Sequence, residues 1–112
     1  MISGGTTITP SRTLNVVPMK RLLWWLLAGT RGGHNRGRII RMLHERPYNN
    51  NQLAEALGLD YKTVQHHLRV LEKNKIIVSS GERYGKMYFL SDVMEDNYPL
   101  FEEIWSRIEV CE

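Results

Sequence analysis

Apolar positions along this chain recur first at helical spacing and later as short extended runs, and the changes of period mark its elements. Met19, Leu22, Leu23, Leu26 and Leu27 form one stripe at helical spacing. Pro18 suits the first turn of a helix and Gly29-Thr30-Arg31-Gly32-Gly33 ends it, so a helix is predicted over 17–29. Trp24 and Trp25 lie partly on its opposite side, and a helix apolar nearly all round has to be covered on more than one face. A second helix, from about Asn35 to Glu45, buries Ile39, Ile40 and Leu43 and stops ahead of Pro47. Residues 1–13 are rich in Gly, Ser and Thr without periodic apolar positions and read as a flexible tail.

The stretch from Asn50 to Ile77, NNQLAEALGLDYKTVQHHLRVLEKNKII, reads as two short helices joined by a tight turn. Leu53, Ala54 and Leu57 make the inner stripe of the first, and Asn49 or Asn50 can cap its start. Gly58 stands where a left-handed residue without a Cβ is wanted, and Asp60 can cap the next helix. In that helix Val64, Leu68 and Leu71 point inward, leaving Tyr61, Lys62, Thr63, Gln65, His66 and Arg69 outside. Arg and Lys match guanine acceptors, Gln matches adenine, and Thr can touch a thymine methyl group, so this face suits the major groove. His67, one position round from His66, turns towards the core and reads as a packed, hydrogen-bonded residue. Ile76-Ile77-Val78 and Lys86 to Leu90 then read as two strands around the turn SSGERYG, a β-hairpin wing. A last amphipathic helix over 92–110 carries Tyr98, Phe101, Ile104, Trp105 and Ile108 on one stripe.

The run QLAEALGLDYKTVQHHLRVLEKNKII resembles the helix-turn-helix of ArsR-type (arsenic-repressor-like) winged-helix regulators, with further likeness to the winged-helix portion of archaeal regulators. The resemblance covers roughly 33–108 and is densest at 50–77. It implies a mainly α fold with a small β-hairpin, a winged helix-turn-helix with additional N- and C-terminal helices. The expected organisation is a single domain over 14–112, with the winged helix-turn-helix at 33–90. Terminal helices of ArsR-type relatives pack across a two-fold axis. That likeness implies a homodimer formed through Leu22, Leu23, Trp24, Trp25, Leu26, Phe101, Ile104, Trp105 and Ile108, and both helices carry more apolar surface than a 112-residue monomer readily hides.

Charge sharpens the DNA reading. Residues 1–46 hold eight Lys/Arg and one acid, residues 47–90 six and four, and residues 91–112 one and seven. A basic front and an acidic back suit a chain that faces a polyanion on one side. The wing tip offers Arg83, Tyr84 and Lys86 to the backbone or minor groove, and Arg36 and Arg38 near the second helix's start offer phosphate contacts, alongside a competing role in packing or in pairing with the acidic C-terminal helix.

Other chemistries find little support. ArsR-type metal sensors use clustered thiolates, whereas the single cysteine here is the penultimate residue, Cys111, and His34, His44, His66 and His67 share no ligand spacing. Neither a metal nor a cofactor is expected, and no nucleophile elbow, P-loop or dinucleotide loop points to an enzyme. The longest apolar run, Leu22 to Ala28, has seven residues against the roughly 20 that span a bilayer, so a cytoplasmic location is the expectation. The rival reading is a winged helix that binds another protein without DNA sequence specificity, resting on a membrane surface through LLWWLLA with Lys20 and Arg21. Such a module should expose Leu, Phe or Met on the second motif helix. Target genes, operator, effector and sign of regulation are not readable from the pattern.

Overall fold

The computed structural model describes residues 19–81 and 85–111, with side chains as far as Ile108. The tail expected over 1–13 and the helix opening at Pro18 lie outside the described residues. In chain order the elements are α1 (19–28), α2 (Gly33–Glu45), α3 (Asn50–Leu57), α4 (Tyr61–Lys73), β1 (Ile77–Ser80), β2 (Met87–Leu90), α5 (Asp92–Asp96) and α6 (Tyr98–Cys111). This is a mainly helical winged helix-turn-helix with a two-stranded antiparallel wing and helices on either side of it.

Local chemistry explains each boundary of the motif. Asn49 caps α3 through a reciprocal pair: its Oδ1 accepts from Gln52 N at 2.7 Å, and its own N–H donates to Gln52 Oε1 at 2.9 Å. Both motif helices end on a left-handed residue. After α3 this is Gly58 (φ 71°), with Leu59 N reaching back to Ala54 O; after α4 it is Lys75 (φ 65°), with Ile76 N on Leu71 O at 2.9 Å. Each closure ties two late carbonyls and turns the chain sharply. Ile77 pairs with Leu90 across the hairpin, and both are buried, so the wing's base belongs to the core while Val78 is exposed.

The core gathers Leu23, Leu26 and Leu27 of α1, Ile39, Ile40 and Leu43 of α2, Leu53, Val64, Leu68 and Leu71 of the motif, and Phe101 and Ile104 of α6. α2 is its central rod. Gly33 lies so close to α1 that an added Cβ would stand 2.0 Å from Leu27 O. Gly37 lies under α6, where a Cβ would stand 2.0 Å from Trp105 Cζ3. α2 begins at Gly33 rather than near Asn35, and its two glycines let it lie against α1 and α6 where larger side chains would collide.

The single C-terminal helix expected over 92–110 is two helices instead. Asn97 closes α5 with its own N–H and its Nδ2 both turned back to Val93 O, and Pro99 in the first turn of α6 has no N–H to continue the α5 ladder. The kink brings Tyr98 over His44, ring centroids 3.6 Å apart and nearly parallel, with His44 Nδ1 3.0 Å from Glu95 Oε1. Burial pushes the Tyr98 hydroxyl above its ordinary range.

Candidate nucleic-acid interface

α4 is held rigidly from within and left open without. Its inner side buries Val64, His67, Leu68 and Leu71. Asp60 caps it, accepting from Thr63 N at 3.2 Å and from the Thr63 hydroxyl at 2.5 Å, and these donors hold its carboxyl below the usual range. The outer side presents Tyr61, 47% exposed, with Lys62, His66 and Arg69 exposed and Gln65 half-buried. Two flexible cations, an imidazole, a carboxamide and a phenol on one helix face supply donors and acceptors for base edges and phosphates, with no apolar side chain among them but the Tyr61 ring.

Beside α4 lies an open cleft of about 450 Å³ lined by Asn49, Asn50, Asn51, Tyr61, Gln65, Gly85, Lys86 and Tyr88. Its floor is built by pairing the α2–α3 link with the wing: Tyr48 N donates to Tyr88 O at 3.2 Å and Tyr88 N to Tyr48 O at 2.8 Å. Each tyrosine ring carries a cation, Arg46 at 3.9 Å over Tyr48 and Lys86 at 5.6 Å over Tyr88. The wing and the start of α3 are thus fixed to one another.

Residues 34–78 match the family model described as bacterial regulatory protein, arsR family. Those residues are an arsR-family helix-turn-helix. Solved structures of similar fold include the transcriptional regulator HlyU from Vibrio vulnificus (18% identity, TM-score 0.61, covering 86% of this chain and 98% of that one). Quinone-bound YodB from B. subtilis is similar at 24% identity and TM-score 0.57, over 76% of this chain and 90% of that one. A ZitR mutant from Lactococcus lactis aligns at 21% identity and TM-score 0.55, over 69% of this chain; the present chain spans only 53% of ZitR. No curated protein matches the sequence.

Within this ArsR-type frame the expected site residues separate. Tyr61, Lys62, Gln65, His66, Arg69 and Lys86 share one side, around α4 and the cleft. Arg83 and Tyr84 lie outside the described residues. Thr63 is half-buried and its hydroxyl is committed to Asp60, so it serves the cap. Arg36, expected at the phosphates, is instead 5% exposed: Nε donates to Leu26 O at 3.2 Å, Nη2 to the Thr30 hydroxyl, and Nη1 meets His67 Nδ1 at 3.4 Å. A guanidinium spent inside the fold cannot reach DNA. Its spacing of three and four from Ile39 and Ile40 already placed it on the inner stripe of α2. Arg38 is half-buried, with Nη1 on Asn35 Oδ1 at 3.1 Å and Nη2 on Leu57 O at 3.4 Å, a cation at the C-terminal end of α3.

The residues expected at a dimer interface also divide. Leu23, Leu26, Phe101, Ile104 and Trp105 are at most 5% exposed within one chain, because α1 and α6 both pack against α2. They complete the chain's own core. Trp25, 53% exposed, remains outside, with Leu22, Trp24 and Ile108 half-buried. Among the described residues no cluster of three or more His, Cys, Asp or Glu could hold a metal, and no helix is long and apolar enough to cross a membrane. Of the Asn49-Asn50-Asn51 run that lines the cleft, the sequence reading assigns a role, helix capping, only to Asn49 or Asn50.

Proposed function

We propose that the chain is a homodimeric, cytoplasmic regulator that lays α4 (60–74 with its caps) in the major groove of a palindromic operator, with the wing at 79–86 on the backbone or minor groove. The observation that carries this is the outer face of α4, where Lys62, Gln65, His66 and Arg69 project from a helix whose inner face is locked in the core. A protein-docking helix would show an apolar face there. Two-fold pairing would set two such helices about one DNA turn apart. The test is selection of duplexes from a random pool by the purified protein. Recovery of a two-fold motif supports the reading; a pool that stays random with no retained binding overturns it, and the protein-module reading then takes its place.

Two variants probe the parts. Trp25 is the largest exposed apolar side chain on α1, so Trp25→Glu should leave folding intact and weaken the dimer at least tenfold, since charge in an apolar contact is costly. Sedimentation giving the same dimer mass for both proteins would remove α1 from the interface. Lys86→Ala should lower affinity for operator and random DNA alike and reduce the log–log salt slope by about 0.9, as expected for one lost phosphate contact. An unchanged slope would place the wing base away from DNA.

A further inference from the structure

We infer that the buried contact between Arg36 and His67 positions the recognition helix: it fixes the pose in which α4 meets base edges, and so serves sequence discrimination as well as the fold. This rests on the DNA-binding reading above and adds to it the residues that aim the reading face.

Apolar packing alone leaves that aim loose. The inner side of α4 rests on Val64, Leu68 and Leu71, and burial of such side chains is non-directional. A helix with its side chains is about 10–12 Å across, so a turn of about 10° about its axis carries a side-chain tip by about 1 Å. A reading site needs its groups within about 0.5 Å and 10–20° of the productive geometry. Something directional has to hold the helix.

His67 supplies the direction. It is the one polar residue on the buried side of α4 and is 5% exposed. It adjoins His66 on the outer face, with ring centroids 5.6 Å apart, so a shift of one carries the other. Its Nδ1 meets Arg36 Nη1 at 3.4 Å. The loop after α1 also closes on the ring, where a Cβ added to Gly32 would stand 2.4 Å from His67 Cε1. Arg36 is anchored away from α4: Nε donates to Leu26 O at 3.2 Å and Nη2 to the Thr30 hydroxyl. One planar guanidinium thus refers the pose of α4 to the end of α1. Among the described residues none of its partners is a carboxylate. A charge buried in this way adds little stability over an apolar side chain of its size, and what it contributes instead is donors in fixed directions.

The test uses the full chain and two duplexes, one selected by the protein and one of random sequence, well below the melting temperature of each variant. Arg36→Met combined with His67→Leu makes both partners apolar, so it should be more stable than Arg36→Met alone. Its preference for the selected duplex over the random one should nevertheless fall about tenfold or more, the worth of one base contact. Random-duplex affinity should hold, because phosphate contacts carry no sequence information and tolerate a small change of pose. His67→Leu alone leaves the Arg36 charge in place and should lower the preference likewise. His67→Asn puts an acceptor where the ring Nδ1 stands and should keep most of it. Should the double variant not fold, the two His67 variants decide by themselves. An unchanged preference, or equal losses on both duplexes, overturns the positioning role and leaves the contact to the fold alone. A loss in His67→Asn as large as in His67→Leu overturns it too, by assigning the effect to the ring. Failure of the parent to prefer any duplex overturns base reading itself, and this role with it.

Discussion

Gly37→Ala should destabilise the fold by about 3 kcal/mol or more, at the upper end of what overpacking a core costs. The methyl group would stand 2.0 Å from Trp105 Cζ3, 2.5 Å from Cε3 and 2.6 Å from Cη2, far inside van der Waals contact. The indole cannot simply turn aside. It is 5% exposed, stacked between His34, at 5.4 Å between centroids, and Phe101, at 5.8 Å. Either α6 must lift from α2 or the ring must leave the core. Such a loss is large against the 5–15 kcal/mol that holds an ordinary domain together. Rescue identifies the cause. Trp105→Phe shortens the ring at the crowded edge and removes an indole N–H that is buried without an acceptor, so the double variant should regain most of the loss. Urea midpoints for the four proteins of this cycle decide it; purely additive effects would mean that Gly37 matters for some reason other than Trp105.

The second large effect is expected at the buried node that joins α1, α2 and α4. Arg36→Met should cost about 1–3 kcal/mol, because it leaves the buried His67 Nδ1 without its donor and takes one of two donors from Leu26 O, which keeps the Thr30 hydroxyl at 3.3 Å. Burial holds the Arg36 guanidinium below its ordinary value and holds the His67 imidazole below its own, with the Arg36 charge and then His66 adding to the effect on His67. His67 is thereby kept neutral in the fold, its Nδ1 free to accept from Arg36. The unfolded chain, in contrast, takes up this proton near pH 6.5. Between that pH and the lower folded value the unfolded state binds more protons, so stability must rise with pH there. This contribution is complete above about pH 6.5 and is lost as pH falls through the folded value, with a slope of at most about 1.4 kcal/mol per pH unit. His67→Gln keeps an acceptor for Arg36 without titrating, and its stability curve between pH 5 and 8 should be flatter by that amount. Parallel curves for the two proteins would show that His67 does not resist protonation in the fold.

Both effects involve residues whose individual types gave little warning, and this separates what sequence can settle here from what it cannot. Helices, turn and wing were legible because each rests on near neighbours: the i, i+3, i+4 stripes, Gly58 after Leu57, Asp60 before α4, and the alternation across β1 and β2. The outward set on α4 was legible for the same reason, since Val64, Leu68 and Leu71 determine which face is left over. Backbone periodicity is a local property, and it carries the recognition face with it.

Destination is not local. Leu23 and Trp25 look equally suited to an interface, yet one is fully buried and the other half open, because only the placement of α1 against Gly33 decides which side of that helix is covered. Arg36 carries the same charge as Lys62 but turns inward, where three partners from α1, the following loop and α4 converge on it. The cleft beside α4 is assembled from the α3 start, the α4 start and β2, segments far apart in sequence that meet because Tyr48 and Tyr88 exchange backbone hydrogen bonds. The sequence by itself determined the elements, their caps and the polar face of the recognition helix. Only the tertiary structure decided which cations remain for DNA and which apolar residues remain for a partner, since those depend on what each side chain meets across the core.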